Sequence, residues 1–223
     1  MKVCTDACLF GGWTAEQIKT YSYQSILDIG TGTGLLSLML AQVAPSTTSI
    51  HAIEIETNAF IESNNNFQLS PWMHQISNHH IALQDFTPES TFEVIVSNPP
   101  FFEGDLKSPT VPKNIASHST ALSWDDLCSN VNRLLSDNGT FFVLIPAARA
   151  YTMQKLAAKE NLYLQKETLV FHQKESKIPF RTMMQFGRNN KEKIYRDSIF
   201  IKKDKDQYSD TFIDILKDYY LNL

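Results

Sequence analysis

Cysteine is scarce, and its number is odd. The three thiols, Cys4, Cys8 and Cys128, cannot all pair, and only Cys4 and Cys8 lie close together, without the second pair that completes a zinc site, so ordinary buried or half-buried thiols and no metal are expected. No run of about 18 or more apolar residues occurs, and the opening Met1-Lys2-Val3-Cys4-Thr5-Asp6 lacks the long apolar core of a signal peptide. Neither membrane insertion nor secretion is indicated, and a cytoplasmic protein is expected. Internal repeats and low-complexity linkers are also missing, so composition marks no domain boundary. At 223 residues and 43% hydrophobic, the chain suits one α/β domain spanning 1–223. The sequence does not report oligomeric state; a monomer is expected.

Positive charge is scarce over most of the length. Residues 1–148 hold 5 Lys+Arg against 14 Asp+Glu, residues 149–205 hold 14 against 6, and residues 206–223 hold 1 against 4. The net charge of -4, spread evenly, would argue against a nucleic-acid partner, because phosphate binding rests on Lys and Arg. Its concentration predicts instead a polyanion-docking face on 149–205.

What is present is an alternation of strand and helix patterns. Ser25 to Ile29 is a short apolar run ending in a glycine turn, and Leu35 to Val43 follows with Leu36, Met39, Leu40 and Val43 at helical spacing. Ser49 to Glu54 reads as a second strand and 57–69 as a helix with Thr57 as its N-cap, stopped by Ser70-Pro71. A weaker strand is expected near His80 to Leu83, a clear one over Phe92 to Val96, a helix from Trp124 to Leu135 capped by Ser123, and a strand over Thr140 to Ile145 after an Asn138-Gly139 turn. Such alternation implies a parallel sheet covered on both faces, with ligands at the carboxyl ends of its strands. After Pro146 a helix over 148–160 gives way to strand-like runs at 163–171, 180–186 and 198–202, an antiparallel edge. The fold class expected is α/β, a Rossmann-like, mostly parallel seven-stranded sheet with helices on both faces.

Asp28-Ile29-Gly30-Thr31-Gly32-Thr33-Gly34 lies where the first strand meets the first crossover helix, and its alternating glycines let the backbone turn tightly against a ligand. The spacing is not the Gly-x-Gly-x-x-Gly of dinucleotide sites, so no pyrophosphate is implied. Glu54, ending the second strand, is placed to accept hydrogen bonds from both ribose hydroxyls of an adenosyl group. Asp85-Phe86 follows the third strand, where an acid can meet an adenine amino group and an aromatic can cover the ring.

The fourth strand runs into Asn98-Pro99-Pro100-Phe101, the most specific signal in the chain. Methylating a planar exocyclic nitrogen requires drawing its lone pair out of conjugation, which two acceptors aimed at its hydrogens achieve. The Asn98 side-chain oxygen and the Pro99 carbonyl can supply them. Consecutive prolines fix φ and offer no competing N–H, so the carbonyl is aimed in advance. Phe101 offers a face on which a base can stack, and a base turned out of its stack is cheapest to supply from a single-stranded loop.

Met1-Lys2-Val3 with Thr5-Asp6, the Asp28 to Gly34 turn with the following Leu35 to Gln42, Ser70-Pro71-Trp72, and Ser97-Asn98-Pro99-Pro100-Phe101-Phe102 together resemble the bacterial tRNA1(Val) adenine-37 N6-methyltransferases, within the class I S-adenosylmethionine-dependent enzymes. The resemblance implies S-adenosyl-L-methionine as cofactor and S-adenosyl-L-homocysteine as product. It places Asp6, Asp28, Gly30, Thr31, Gly32, Gly34, Glu54, Asp85 and Phe86 about the cofactor, and Asn98 to Phe101 about an adenine of the anticodon loop. Members of this family carry a short aromatic and basic segment ahead of the position of Met1, so a reduced substrate-contact surface is expected. Ser117 stands where an arginine is expected, leaving His118 as a possible RNA contact. Two other readings use the same residues: methylation of a protein glutamine side chain, and a catalytically inactive RNA-binding module. The basic 149–205 segment disfavours the first, and the intact Asp28, glycines, Glu54 and Asn98 disfavour the second.

Overall fold

Residues 4–100, 122–190, 193–205 and 207–221 are described by a computed structural model. The chain opens with helix α1 (Thr5–Ile18), followed by β1 (Ser25–Ile29), α2 (Leu35–Ala41), β2 (Ser49–Glu54), α3 (Thr57–Gln68), β3 (Ile76–His80), β4 (Phe92–Ser97), α4 (Trp124–Leu134), β5 (Leu135–Pro146), α5 (Ala150–Lys159), β6 (Tyr163–Gln173), β7 (Arg181–Gly187), β8 (Tyr195–Lys202) and α6 (Asp210–Leu216). The strands form one sheet in the order β3-β2-β1-β4-β5-β7-β6-β8. β1 to β5 run parallel, β7 is antiparallel to both β5 and β6, and β8 pairs in parallel with β6.

β5 shows why the sheet needs cover on both faces. Phe142 and Leu144 pack with α1, α2 and α6, while Phe141, Val143 and Ile145 pack with α4 and α5. All five are at most 1% exposed, so the strand reads as an unbroken apolar run rather than an alternation. Ser123 caps α4 by accepting from the Asp126 amide, and Ser209 caps α6 by accepting from the Phe212 amide. α5 ends on Asn161, whose φ of 57° closes the helix in the left-handed conformation.

The structure departs from the sequence expectations in five places. The sheet has eight strands rather than seven, one for each strand-like run read from the sequence, and its last strand, starting at Tyr195, pairs with β6 in parallel rather than extending an antiparallel edge. The third strand lies at Ile76–His80, ahead of the predicted segment, and Leu83–Asp85 form a short 3-10 turn. Glu56 rather than Thr57 caps α3, its carboxylate accepting from the Asn58 and Ala59 amides. Asn138-Gly139 lies within an irregular stretch of β5: its register against β4 jumps from Phe92↔Leu135 to Val94↔Thr140. Helix α1 had no counterpart in the sequence reading. Ten of its 14 residues are buried, including the Gly11-Gly12 pair. A Cβ on Gly11 would stand 2.4 Å from Met39 Sδ and one on Gly12 2.8 Å from Ile215 Cγ2, so this helix is wedged between α2 and α6. A helix apolar on nearly every side shows no amphipathic period to read.

Candidate active site

The turn after β1 is built around a buried carboxylate. Asp28 Oδ2 accepts from Thr31 Oγ1 at 2.6 Å, Ser37 Oγ at 2.8 Å and Ser37 N at 3.2 Å, tying the turn to the first turn of α2. Complete burial pushes this carboxyl up to about 6, although the hydrogen bonds from Thr31 and Ser37 oppose the shift. Gly30, Gly32 and Gly34 all have positive φ, which residues with a Cβ rarely adopt. Their surroundings differ. A Cβ on Gly30 would meet nothing within 4 Å, so open space lies over that backbone, whereas one on Gly34 would stand 2.4 Å from Cε1 of Phe67 on α3. Gly34 thus serves helix packing. Asn66 Nδ2 braces the same turn by donating to the Thr33 carbonyl at 2.8 Å.

Glu54 faces the turn from the end of β2. Its Oε2 accepts from Gly32 N at 2.9 Å, and its Oε1 accepts from Ile55 N and Glu56 N, each at 2.9 Å. Three backbone donors therefore hold the carboxylate in place. The Asn58 and Ala59 amides at the start of α3 hold Glu56 below the usual carboxylate range.

Between these elements, at the carboxyl ends of β1, β2 and β4, lies a cavity of about 630 Å³. Gly30 and Glu54 line it, Ile55, Ala82 and Leu83 give it apolar surface, and Asn98, Pro99 and Pro100 form the wall beyond β4. Ser97 sets the height of that wall: its Oγ donates to the Ile29 carbonyl at 3.0 Å, locking the end of β4 to β1. The Asn98 Oδ1 is buried with no hydrogen-bond partner among the described residues. A buried carbonyl normally has a partner, so an amide oxygen left open beside a cavity is an acceptor awaiting a donor. An open glycine backbone, a backbone-held carboxylate, apolar walls and an unpaired acceptor suit an adenosyl group with an amine beyond it. This chemistry fits S-adenosyl-L-methionine.

Not every predicted residue reaches this cavity. Thr31 and Asp28 are buried within the turn, shaping it rather than lining it. Leu83 and Gln84 line the wall where Asp85-Phe86 was expected. Phe86 points into the core, 6% exposed, where it packs with Phe92, His51 and His79, and it does not line the cavity. Asp6 lies in the first turn of α1, its Oδ2 accepting from Arg181 Nε at 2.8 Å, and is not part of the cavity wall. Phe101, Ser117 and His118 lie outside the described residues. Arg133 was missed: it donates to the Phe86 carbonyl at 2.9 Å and the Leu83 carbonyl at 3.3 Å, fixing the 3-10 turn beneath the cavity. No local sequence signal marks a partnership across about 50 residues. Among the described residues no group of three or more His, Cys, Asp or Glu side chains could hold a metal, and no helix is long and apolar enough to cross a membrane.

The basic segment is partly consumed by the fold. Arg188 donates to Asn132 Oδ1 at 2.6 Å and to the Asn132 and Leu135 carbonyls at 2.7 and 2.9 Å, pinning the α4–β5 junction. Lys166 lies over the Trp13 ring and donates to Gln17 Oε1.

A parallel sheet whose penultimate position in the β5-β7-β6 series is reversed, with a ligand cavity at the β1–β4 switch point, defines a Rossmann-like class I methyltransferase. A predicted O-methyltransferase from Agrobacterium tumefaciens shares this fold with a TM-score of 0.70 at 10% identity, over 95% of each chain. The family model for the methyltransferase small domain matches residues 14–151. A tRNA1(Val) (adenine(37)-N6)-methyltransferase from Dyadobacter fermentans is 38% identical over 99% of this chain and 91% of its own length, and one from Phocaeicola vulgatus is 38% identical over 100% and 92%. The chain belongs to the methyltransferase small domain family and, within it, to the tRNA1(Val) (adenine(37)-N6)-methyltransferases.

Proposed function

We propose that the protein transfers a methyl group from S-adenosyl-L-methionine to N6 of an adenine in tRNA, adenine 37 of tRNA1(Val), as the names of its relatives read. The observation that carries this reading is the buried Asn98 Oδ1 at the cavity wall, without a hydrogen-bond partner among the described residues and followed directly by two prolines. When bound, S-adenosyl-L-methionine supplies an electrophilic methyl group. The residues of this chain do the rest. Glu54 and the open Gly30 backbone hold the adenosyl end, and the apolar walls exclude water. Asn98 Oδ1 accepts one N6 hydrogen and the Pro99 carbonyl the other, so the amine is held pyramidal with its lone pair directed into the cavity. Pro99 and Pro100 keep that carbonyl from turning away. The surplus proton leaves to solvent, and Phe101 stacks on the target base. The RNA docks on the basic 149–205 segment.

Methyl-labelled cofactor and unmodified tRNA, followed by digestion and nucleoside mass spectrometry, test the reading directly: label is expected in N6-methyladenosine. Asn98→Ala should lower turnover by about 100-fold or more, as for a lost transition-state hydrogen bond, and leave cofactor affinity within about twofold. Near-normal turnover in that variant refutes the mechanism.

A further inference from the structure

Strand direction sorts the C-terminal charge between two edges of the sheet. β6 and β8 run in the same sense as β4 and β5, because β7 reverses and β6 reverses again. Residues following β6 and β8 therefore emerge at the edge that carries Asn98-Pro99-Pro100, whereas those following β7 emerge at the opposite edge. Lys174 and Lys177 lie on the β6–β7 connection, and Lys203 and Lys205 just past β8. All four are exposed. None makes an ion pair among the described residues, although Glu175 and Asp204 are interspersed with them.

A groove joins this edge. Val170, Ile199 and Ile201 bury one face of β6 and β8, while the alternate residues Phe171 and Phe200 stand half-buried on the other, rings stacked at 5.2 Å and 30°. They floor an open groove of about 430 Å³ lined by Lys174, Lys177, Arg196 and Asp197, the last of which is paired with Lys166 at 3.6 Å. Arg196 also donates to Glu167 Oε2 at 3.0 Å, so the two lysines are the rim charges with no carboxylate partner.

We propose that this groove is a second RNA-binding surface. It receives the strand of substrate RNA that leads away from the target adenine, with phosphates against Lys174 and Lys177 and a base or ribose face on the Phe171–Phe200 pair. The proposal rests on the tRNA-methylation reading and adds a place where the RNA is held. Three to four strand spacings of about 4.8 Å separate β4 from β6 and β8, so the groove lies roughly 15–20 Å from the Asn98 wall. That is the reach of about five stacked nucleotides. Aromatic floor with cationic rim is the chemistry of single-stranded nucleic-acid grooves. An acidic protein partner would use the lysines but has no need of the stacked rings or of the edge that holds the catalytic loop.

The test uses the full chain with unmodified tRNA, measuring methyl transfer and filter binding in parallel across a salt series. Each lost phosphate contact removes about 0.7–0.9 from the slope of log affinity against log salt, which at about 0.15 M is roughly a fourfold to fivefold loss per contact. Lys174→Ala/Lys177→Ala should therefore raise the tRNA Kd and KM about 15- to 30-fold and flatten the salt slope by about 1.4–1.8. Phe171→Ala should raise them about tenfold without altering the slope. Lys217→Ala, at the end of α6 and outside the basic 149–205 segment, should change neither by more than about twofold. Both lysines are exposed, so folding of the double variant is expected and is checked by its melting temperature. Unchanged Kd and salt slope in the double variant, with wild-type methylation intact, overturn the groove alone. Absence of tRNA methylation by the wild-type chain, despite cofactor binding, overturns the function on which it rests.

Discussion

Replacing Gly34 and Gly30 by alanine, one at a time, should separate two roles that the same turn plays. Both glycines have positive φ, 85° and 69°, so either alanine incurs about 1–2 kcal/mol of backbone strain. At Gly34 the new methyl also meets Phe67 Cε1 at 2.4 Å and Cζ at 2.7 Å, and Phe67 is 3% exposed with no room to yield freely. Overpacking of this kind adds about 1–3 kcal/mol, for a total of about 2–5 kcal/mol. In a chain of this size that corresponds to a drop of roughly 10 °C in Tm. At Gly30 the methyl meets no atom within 4 Å but projects over a residue of the cavity wall. Gly30→Ala should therefore lower Tm by only about 5 °C while weakening cofactor binding at least about tenfold, as for a methyl placed where a ligand approaches the backbone. Scanning calorimetry and cofactor titration of both variants provide the check. Equal losses of Tm, or a Gly30→Ala protein that binds the cofactor at wild-type strength, would refute the division of labour.

Asp28 makes folding pH-dependent in an unusual direction. Burial raises its carboxyl to about 6 in the folded chain against about 4 when unfolded, so its contribution is fully present below about pH 4 and is lost as pH rises through about 6. The loss is on the order of 3 kcal/mol, and subtracting the urea stability of Asp28→Asn from that of the wild type should reveal a decline between pH 4 and 6; parallel profiles would show that the carboxyl titrates normally. The Asp6–Arg181 pair, with side chains 12% and 25% exposed, should show a coupling of about 1–2 kcal/mol in a double-mutant cycle, between the values for exposed and buried charged hydrogen bonds. Asp6→Ala should leave cofactor affinity within about twofold; a loss beyond tenfold would make Asp6 a ligand rather than a clasp between α1 and β7.

Much of the candidate site was legible because its chemistry is local. The Asp28 to Gly34 turn, Glu54 at a strand end and Asn98-Pro99-Pro100 are each defined by neighbouring residues, and the flanking apolar runs state which strand precedes them. Other features depend on partners far along the chain. Phe86 looked like cover for a ligand because sequence does not say which way a ring after a 3-10 turn points; the aromatic cluster with Phe92, His51 and His79 draws it inward. Asp6 finds its partner 175 residues away. Helix α1, buried on nearly every side, lacks the polar face that would have revealed it. Residue identity alone determined that the C-terminal third is basic and that an Asn98-Pro99-Pro100 turn follows β4. Only the tertiary structure decided that Lys174, Lys177, Lys203 and Lys205 meet that site at one edge, because strand direction, not composition, sets the edge from which each connection leaves the sheet.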